Sequence, residues 1–281
     1  MKTIKTKIVG IDPAPKKGLQ TFDGCNSSSY EIKECSDFIK QLLKEKSILV
    51  CWDAPMTGPP ASVVSEAKKA FGSVYTKRPI ERFFSTSGRT YGSGTSDFKT
   101  PPGISVRSYS GCPHWTISRA LIGLPRLGVY DSNDPPFSLV TSDSMRKKII
   151  RNVVEVHPAV AIWLWCRDSD EMKAENTNWF YKPKSNTTKL NCKNNISKFW
   201  KILLEKPFIR EIIKDDSAPS NDDDLDARVS YILGRLWLDE PHEVKLLGDG
   251  DSGAFLLPAY KGMSDKFAAF IESRREKRQA S

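Results

Sequence analysis

The chain has 281 residues, of which 39% are hydrophobic, and its 43 Lys and Arg exceed 34 Asp and Glu to leave a net charge of +9. That apolar fraction builds a real core and excludes a disordered chain, and no apolar run is long enough to cross a bilayer. The positive balance suits a polyanionic partner without requiring one.

The opening MKTIKTKIVG enters a strand without the apolar core and cleavage site of a signal peptide, so a soluble, cytoplasmic protein with no membrane partner is expected. Cys25, Cys35, Cys51, Cys112, Cys166 and Cys192 are scattered, with no CxxC pair, so free thiols are expected rather than a zinc site. Oligomeric state is left open.

In chain order, Ile8, Val9, Gly10 and Ile11 read as a core strand with Asp12 at its C-terminal tip, followed by Pro13, Ala14 and Pro15. A turn at Lys16 to Gly18 leads to a short strand over Leu19 to Phe22. Ile32, Phe38, Ile39, Leu42 and Leu43 fall on one face of a helix. Ile48 to Trp52 is continuously apolar, the pattern of a strand covered on both faces, and it too runs into an acid, Asp53.

Residues 61–145 change character. A helical piece over Ser62 to Phe71 precedes a stretch dense in Gly, Ser, Thr and Pro, which reads as an insertion within one domain spanning 1–281. The region carries Arg78, Arg82, Arg89, Lys99, Arg107 and Arg119 interleaved with Tyr75, Tyr91, Tyr109 and Trp115. Of these, Arg82, Arg89, Arg107, Arg119 and Tyr91 are candidates for phosphate contact and base stacking, although a solvated loop has the same composition.

A third strand is predicted over Asn152 to His157 with Glu155 inside it, then a helix over Ala159 to Trp165 and one amphipathic helix over Ile196 to Ile213. A charged loop leads into a helix through LDARVSYILGRLW, VKLLGDGDSGAFLLP reads as a hairpin, and the tail ESRREKRQAS reads as charged and frayed.

Acids recur at strand ends and inside strands expected to be buried: Asp12, Asp53, Glu155, and the group Asp222, Asp223, Asp224 and Asp226 at a helix start. A buried carboxylate costs several kcal/mol unless it is paired, hydrogen-bonded or bound to a cation. A divalent metal makes a converging set tolerable, and oxygen-only ligands favour Mg2+ or Mn2+ over zinc. Asp223 and Asp226 share a helix face, while Asp222 and Asp224 suit the helix N-terminus. Taken singly, each acid also reads as a turn or capping residue, so the joint pattern is the specific one.

The order of VGIDPAP, hairpin, helix, LVCWDAP, VVEVHPA and a helix carrying DDLDA resembles the ribonuclease H-like fold, an α/β mixed sheet flanked by helices. It is most similar to the predicted nuclease family known as domain of unknown function family 429. GIDP and the D-x-x-D-A pattern are also similar to Holliday-junction resolvases. The resemblance covers about residues 1–60 and 150–260. It implies that Asp12 bridges two Mg2+ or Mn2+ ions, that Asp53 or Glu155 is a further ligand, and that Asp226, with Asp223 beside it, completes the site. Two such ions, roughly 3.5–4 Å apart, activate a water and stabilise the leaving oxygen in hydrolysis of DNA or RNA phosphodiesters. His157 would orient a carboxylate or shuttle a proton, or else pack or cap a helix.

Actin-like ATPases and sugar kinases also end a first strand in aspartate, but they need a glycine-rich turn there, and prolines offer no N–H to phosphate. The remaining alternative is a catalytically silent module on the same scaffold that grips nucleic acid or protein. A pure binder has no reason to keep carboxylates beside a polyanion unless a metal screens them.

Overall fold

The computed structural model describes residues 5–14, 16–56, 78–85, 98–106, 136–173, 178–183, 189–214, 217–249 and 253–279. Its centre is a six-stranded sheet in the order β3-β2-β1-β4-β6-β5, formed by β1 (Lys7–Ala14), β2 (Gly18–Phe22), β3 (Ser27–Tyr30), β4 (Ile48–Trp52), β5 (Ser138–Leu139) and β6 (Arg151–Glu155). The first three strands run antiparallel, and β4 and β6 then lie parallel to β1, with β5 parallel to β6. The architecture is α/β with a mixed sheet flanked by helices, compatible with a ribonuclease H-like arrangement.

Strand alternation sorts the two cores. On one face Val9, Ile11, Val50, Trp52 and Val153 pack against α1 (Ile32–Leu42) through Cys35, Phe38, Ile39 and Leu42. The other face carries Ile8, Leu49, Cys51 and Val154, and it buries the larger core. That core includes α2 (Pro79–Phe84), α3 (Pro158–Cys166), α5 (Lys189–Leu204), α7 (Asp222–Asp239), the hairpin of β7 (Val244–Asp249) and β8 (Gly253–Pro258), and α8 (Met263–Gln279). The short helices α4 (Asp170–Lys173) and α6 (Pro207–Ile212) complete the chain order. All five residues of β4 are buried, as a parallel strand covered on both faces requires.

One close approach sets the position of α7. A Cβ added at Gly10 would lie 2.0 Å from the Ala227 carbonyl oxygen and 2.4 Å from the Tyr231 nitrogen, so the helix backbone rests directly on β1. Further along α7, a Cβ at Gly234 would lie 2.2 Å from Cys51 Sγ.

The sequence reading fails in three places. The helix expected over 196–213 is two, α5 and α6, because Pro207 has no N–H to continue the first and is well suited to start the second. The tail is helical through Gln279 in α8, whose earlier residues Met263, Phe267 and Phe270 lie in the core, with Phe267 and Phe270 against Phe83. β3 went unread because Ser27, Ser28 and Ser29 carry no apolar alternation; its order comes from pairing with β2. The helix expected over Ser62 to Phe71 lies outside the described residues.

Among the described residues, Cys25, Cys35, Cys51, Cys166 and Cys192 are free thiols, and no helix is long and apolar enough to cross a membrane.

Candidate metal centre

β1 and β4 are paired with Ile11 opposite Trp52, and the Asp53 N–H donates to the Ile11 carbonyl at 2.9 Å. Asp12 and Asp53 are therefore the next positions on neighbouring parallel strands, and their side chains leave the same edge of the sheet on the α7 side. Asp226 comes from the first turns of α7. One carboxylate oxygen from each of Asp12, Asp53 and Asp226 lies within 4.8 Å of the other two. Asp12 is 5% exposed and Asp226 is wholly buried.

The start of α7 is held independently of this triad. Asn221 Oδ1 caps the helix by accepting from the Asp224 N–H at 2.9 Å. Asp224 accepts from the Ser27 hydroxyl at 2.6 Å, the Ser220 N–H at 2.8 Å and Arg228 Nε at 3.1 Å. Burial pushes Asp224 up, but these donors outweigh it and leave the carboxyl below its ordinary range. It is a structural acid.

The triad has the opposite electrostatics. Tyr181 donates its hydroxyl to Asp226 Oδ1 at 2.8 Å. Asp226 Oδ2 contacts the Lys182 ammonium as an ion pair yet accepts no aligned hydrogen bond. Burial pushes the carboxyls of Asp12, Asp53 and Asp226 up, with Lys182 opposing it in each; Asp53 reaches about 8. Mutual repulsion adds to this for Asp12 and Asp53. Partial desolvation lowers Lys182, but Asp226, Tyr181, Asp12 and Asp53 outweigh it and hold the ammonium above its ordinary range.

A cavity of about 700 Å³ opens over these groups, lined among others by Asp12, Asp53, His157, Phe180, Lys182 and Phe255. A second, of about 290 Å³, takes in Asp12, Gln20, Ser29 and Asp222. Lys17 and Asp223 line both, joined by a 2.5 Å hydrogen-bonded ion pair.

The donor set fits a hard divalent cation. It offers only carboxylate oxygens, and Asp226 supplies a buried oxygen with no aligned donor. Searches of family models, curated proteins and solved structures find no match to this chain.

Two acids expected in the site lie outside the triad. Glu155 is opposite Trp52 in register, one step before Asp12 and Asp53; it lines the same cavity and its charge helps raise Asp53, but it is not among the converging acids. It is instead bound bidentately by Arg78, with Nη1 to Oε2 at 2.8 Å and Nη2 to Oε1 at 2.5 Å, and its Oε2 also accepts the Met56 N–H at 3.1 Å. Arg78 binds Glu81 as well, at 2.8 Å, and is 1% exposed, so it is a buried structural cation and not part of a basic loop surface. Asp223 stands at the rim, engaged by Lys17, although it shares a helix face with Asp226.

His157 does not continue β6. It is the N-cap of α3, where Nδ1 accepts from the Val160 N–H at 3.5 Å, and its ring meets Phe255 edge-on. Burial, with repulsion from Lys182 and Arg78, lowers its pKa to about 3 and keeps it neutral. Arg82 sits half-buried on α2. Arg89, Tyr91, Arg107 and Arg119 lie outside the described residues.

Sequence reasoning missed Tyr181, Lys182 and the pairing of Arg78 with Glu81 and Glu155. The first two sit in a connection between helices that reads only as rich in lysine and asparagine. The one available cue was the aromatic cluster WFYK, too apolar for an ordinary surface loop.

Proposed function

We propose that the protein is a divalent-cation-dependent nuclease that hydrolyses phosphodiester bonds in DNA or RNA. The observation that carries this is the triad: three carboxylates from three separate elements meet within 4.8 Å, one with a buried oxygen that accepts no aligned hydrogen bond. Like charges at that spacing oppose their own ionisation, and a cation is what makes the arrangement favourable. Asp12, Asp53 and Asp226 would hold Mg2+ or Mn2+, which when bound supplies Lewis-acid polarisation of a phosphoryl oxygen and a more acidic water.

The chain's own residues supply the rest. Tyr181 fixes the orientation of Asp226 through Oδ1. The 700 Å³ cavity gives a phosphodiester access to Asp12 and Asp53, with Phe180 and Phe255 as apolar wall. The net charge of +9 favours encounter with a polyanion. The sheet order, antiparallel from β3 to β1 and parallel from β1 through β6, supports reading the scaffold as ribonuclease H-like.

The test incubates the purified chain with Mg2+ or Mn2+ and single-stranded, duplex, hybrid and branched nucleic acids, beside Asp12→Asn and Asp226→Asn. Cation-dependent cleavage by the wild type alone is expected. No cleavage of any substrate, together with no cation binding, would overturn the nuclease and leave the silent binding module.

A further inference from the structure

Lys182 Nζ contacts Asp226 Oδ2, the oxygen that accepts no aligned hydrogen bond, and its charge also bears on Asp12 and Asp53. The anchoring of Asp226 does not need this contact, because Tyr181 already holds Oδ1 at 2.8 Å. The lysine itself is not locked in: 47% of its side chain is exposed, and it lines the larger cavity. A positive charge on a flexible four-carbon stem thus sits against one oxygen of the acid triad, with solvent open on its other side. An ammonium and a divalent cation cannot both occupy that face of Oδ2.

We propose that Lys182 is the chain's own stand-in for the metal ion: it neutralises the triad in the cation-free protein and is displaced from Asp226 Oδ2 when a divalent cation binds. This rests on the metal-centre reading given above. Binding is then an exchange of one cation for another, so the triad is never left without a counter-charge, and the released ammonium becomes available to an anionic group in the cavity.

The experiment uses the full chain and its Lys182→Met and Lys182→Gln variants, titrated calorimetrically with MnCl2 and MgCl2. Removing a competing charge should tighten cation binding roughly tenfold or more in both variants, a coupling of ordinary size between two ligands of one site. A second readout needs no variant: an amine-acylating reagent followed by peptide mass spectrometry should label Lys182 of the wild type faster with Mn2+ than with EDTA. Wild-type or weaker affinity in the neutral variants, with labelling unchanged or slowed by Mn2+, overturns the exchange alone. If neither wild type nor variants bind either ion, the metal-centre reading falls with it. Tighter binding and faster labelling without cleavage of any nucleic acid would support the exchange while removing the nuclease.

Discussion

Replacing Gly10 with alanine should damage the site from a distance. The added Cβ would stand 2.0 Å from the Ala227 carbonyl oxygen and 2.4 Å from the Tyr231 nitrogen, and neither backbone atom can rotate aside. Ordinary contacts begin near 3.4 Å, so α7 must retreat by about 1.4 Å at this point. Asp226 immediately precedes Ala227 and travels with it, which opens the triad. Overpacking of this kind costs about 1–3 kcal/mol, a fall of roughly 2–5 °C in Tm for a domain of this size. Misplacement by about 1 Å can also cost about 100-fold in rate. Thermal unfolding and Mn2+ titration of Gly10→Ala should show a lower Tm and weaker Mn2+ binding. Gly234→Ala serves as the comparison, since its Cβ meets Cys51 Sγ two turns from Asp226 and should lower Tm with little change in Mn2+ affinity. A Gly10→Ala protein with wild-type Tm and wild-type Mn2+ affinity would refute the idea that this contact positions the acid.

Arg78→Met leaves Glu81 and Glu155 buried without their guanidinium and should destabilise the fold by about 3–5 kcal/mol in urea unfolding, with part of the loss recovered by adding Glu155→Gln. Tyr181→Phe keeps the ring but removes the donor to Asp226 Oδ1, and Mn2+ affinity should fall about 10-fold or more, as when a ligand-orienting partner is lost. His157 is neutral in the folded protein down to about pH 3, whereas the unfolded imidazole takes up a proton near its ordinary 6.5. Its contribution to stability is therefore complete above the unfolded pKa and is lost as pH falls toward the folded one. Between about pH 6 and pH 4 the wild type should lose on the order of 1 kcal/mol per pH unit more than His157→Asn, which retains a capping acceptor. Parallel pH dependence in the two proteins would contradict this.

The elements that position Asp12 and Asp53 are legible in the sequence because a strand buried on both faces must be apolar throughout, and an acid at its end stands out against VGI and LVCW. Asp226 was legible through the helical spacing of its neighbours. The sequence does not separate Glu155 from Asp53, since an acid in an apolar strand looks the same whether its countercharge is a metal or an arginine, and in the structure Glu155 is paired with Arg78. Register places Glu155 opposite Trp52, one step short of Asp12 and Asp53 at the wall of the same cavity, and register depends on where β6 pairs. Tyr181 and Lys182 reach the site from a segment whose local pattern specifies neither helix nor strand. Their contacts with Asp226 span some 45 residues and leave no periodic trace.

The bonds of Glu155 have a consequence for how the chain could vary. Met56 N–H and Arg78 Nη1 share the same carboxylate oxygen, at 3.1 Å and 2.8 Å. Between these two residues lies the stretch 57–77, so one buried anion cinches both of its ends together, much as a cross-link would. Positions 56 and 78 are thereby fixed to one another through a single oxygen of β6, so a substitution that removes the Glu155 carboxylate would free both at once.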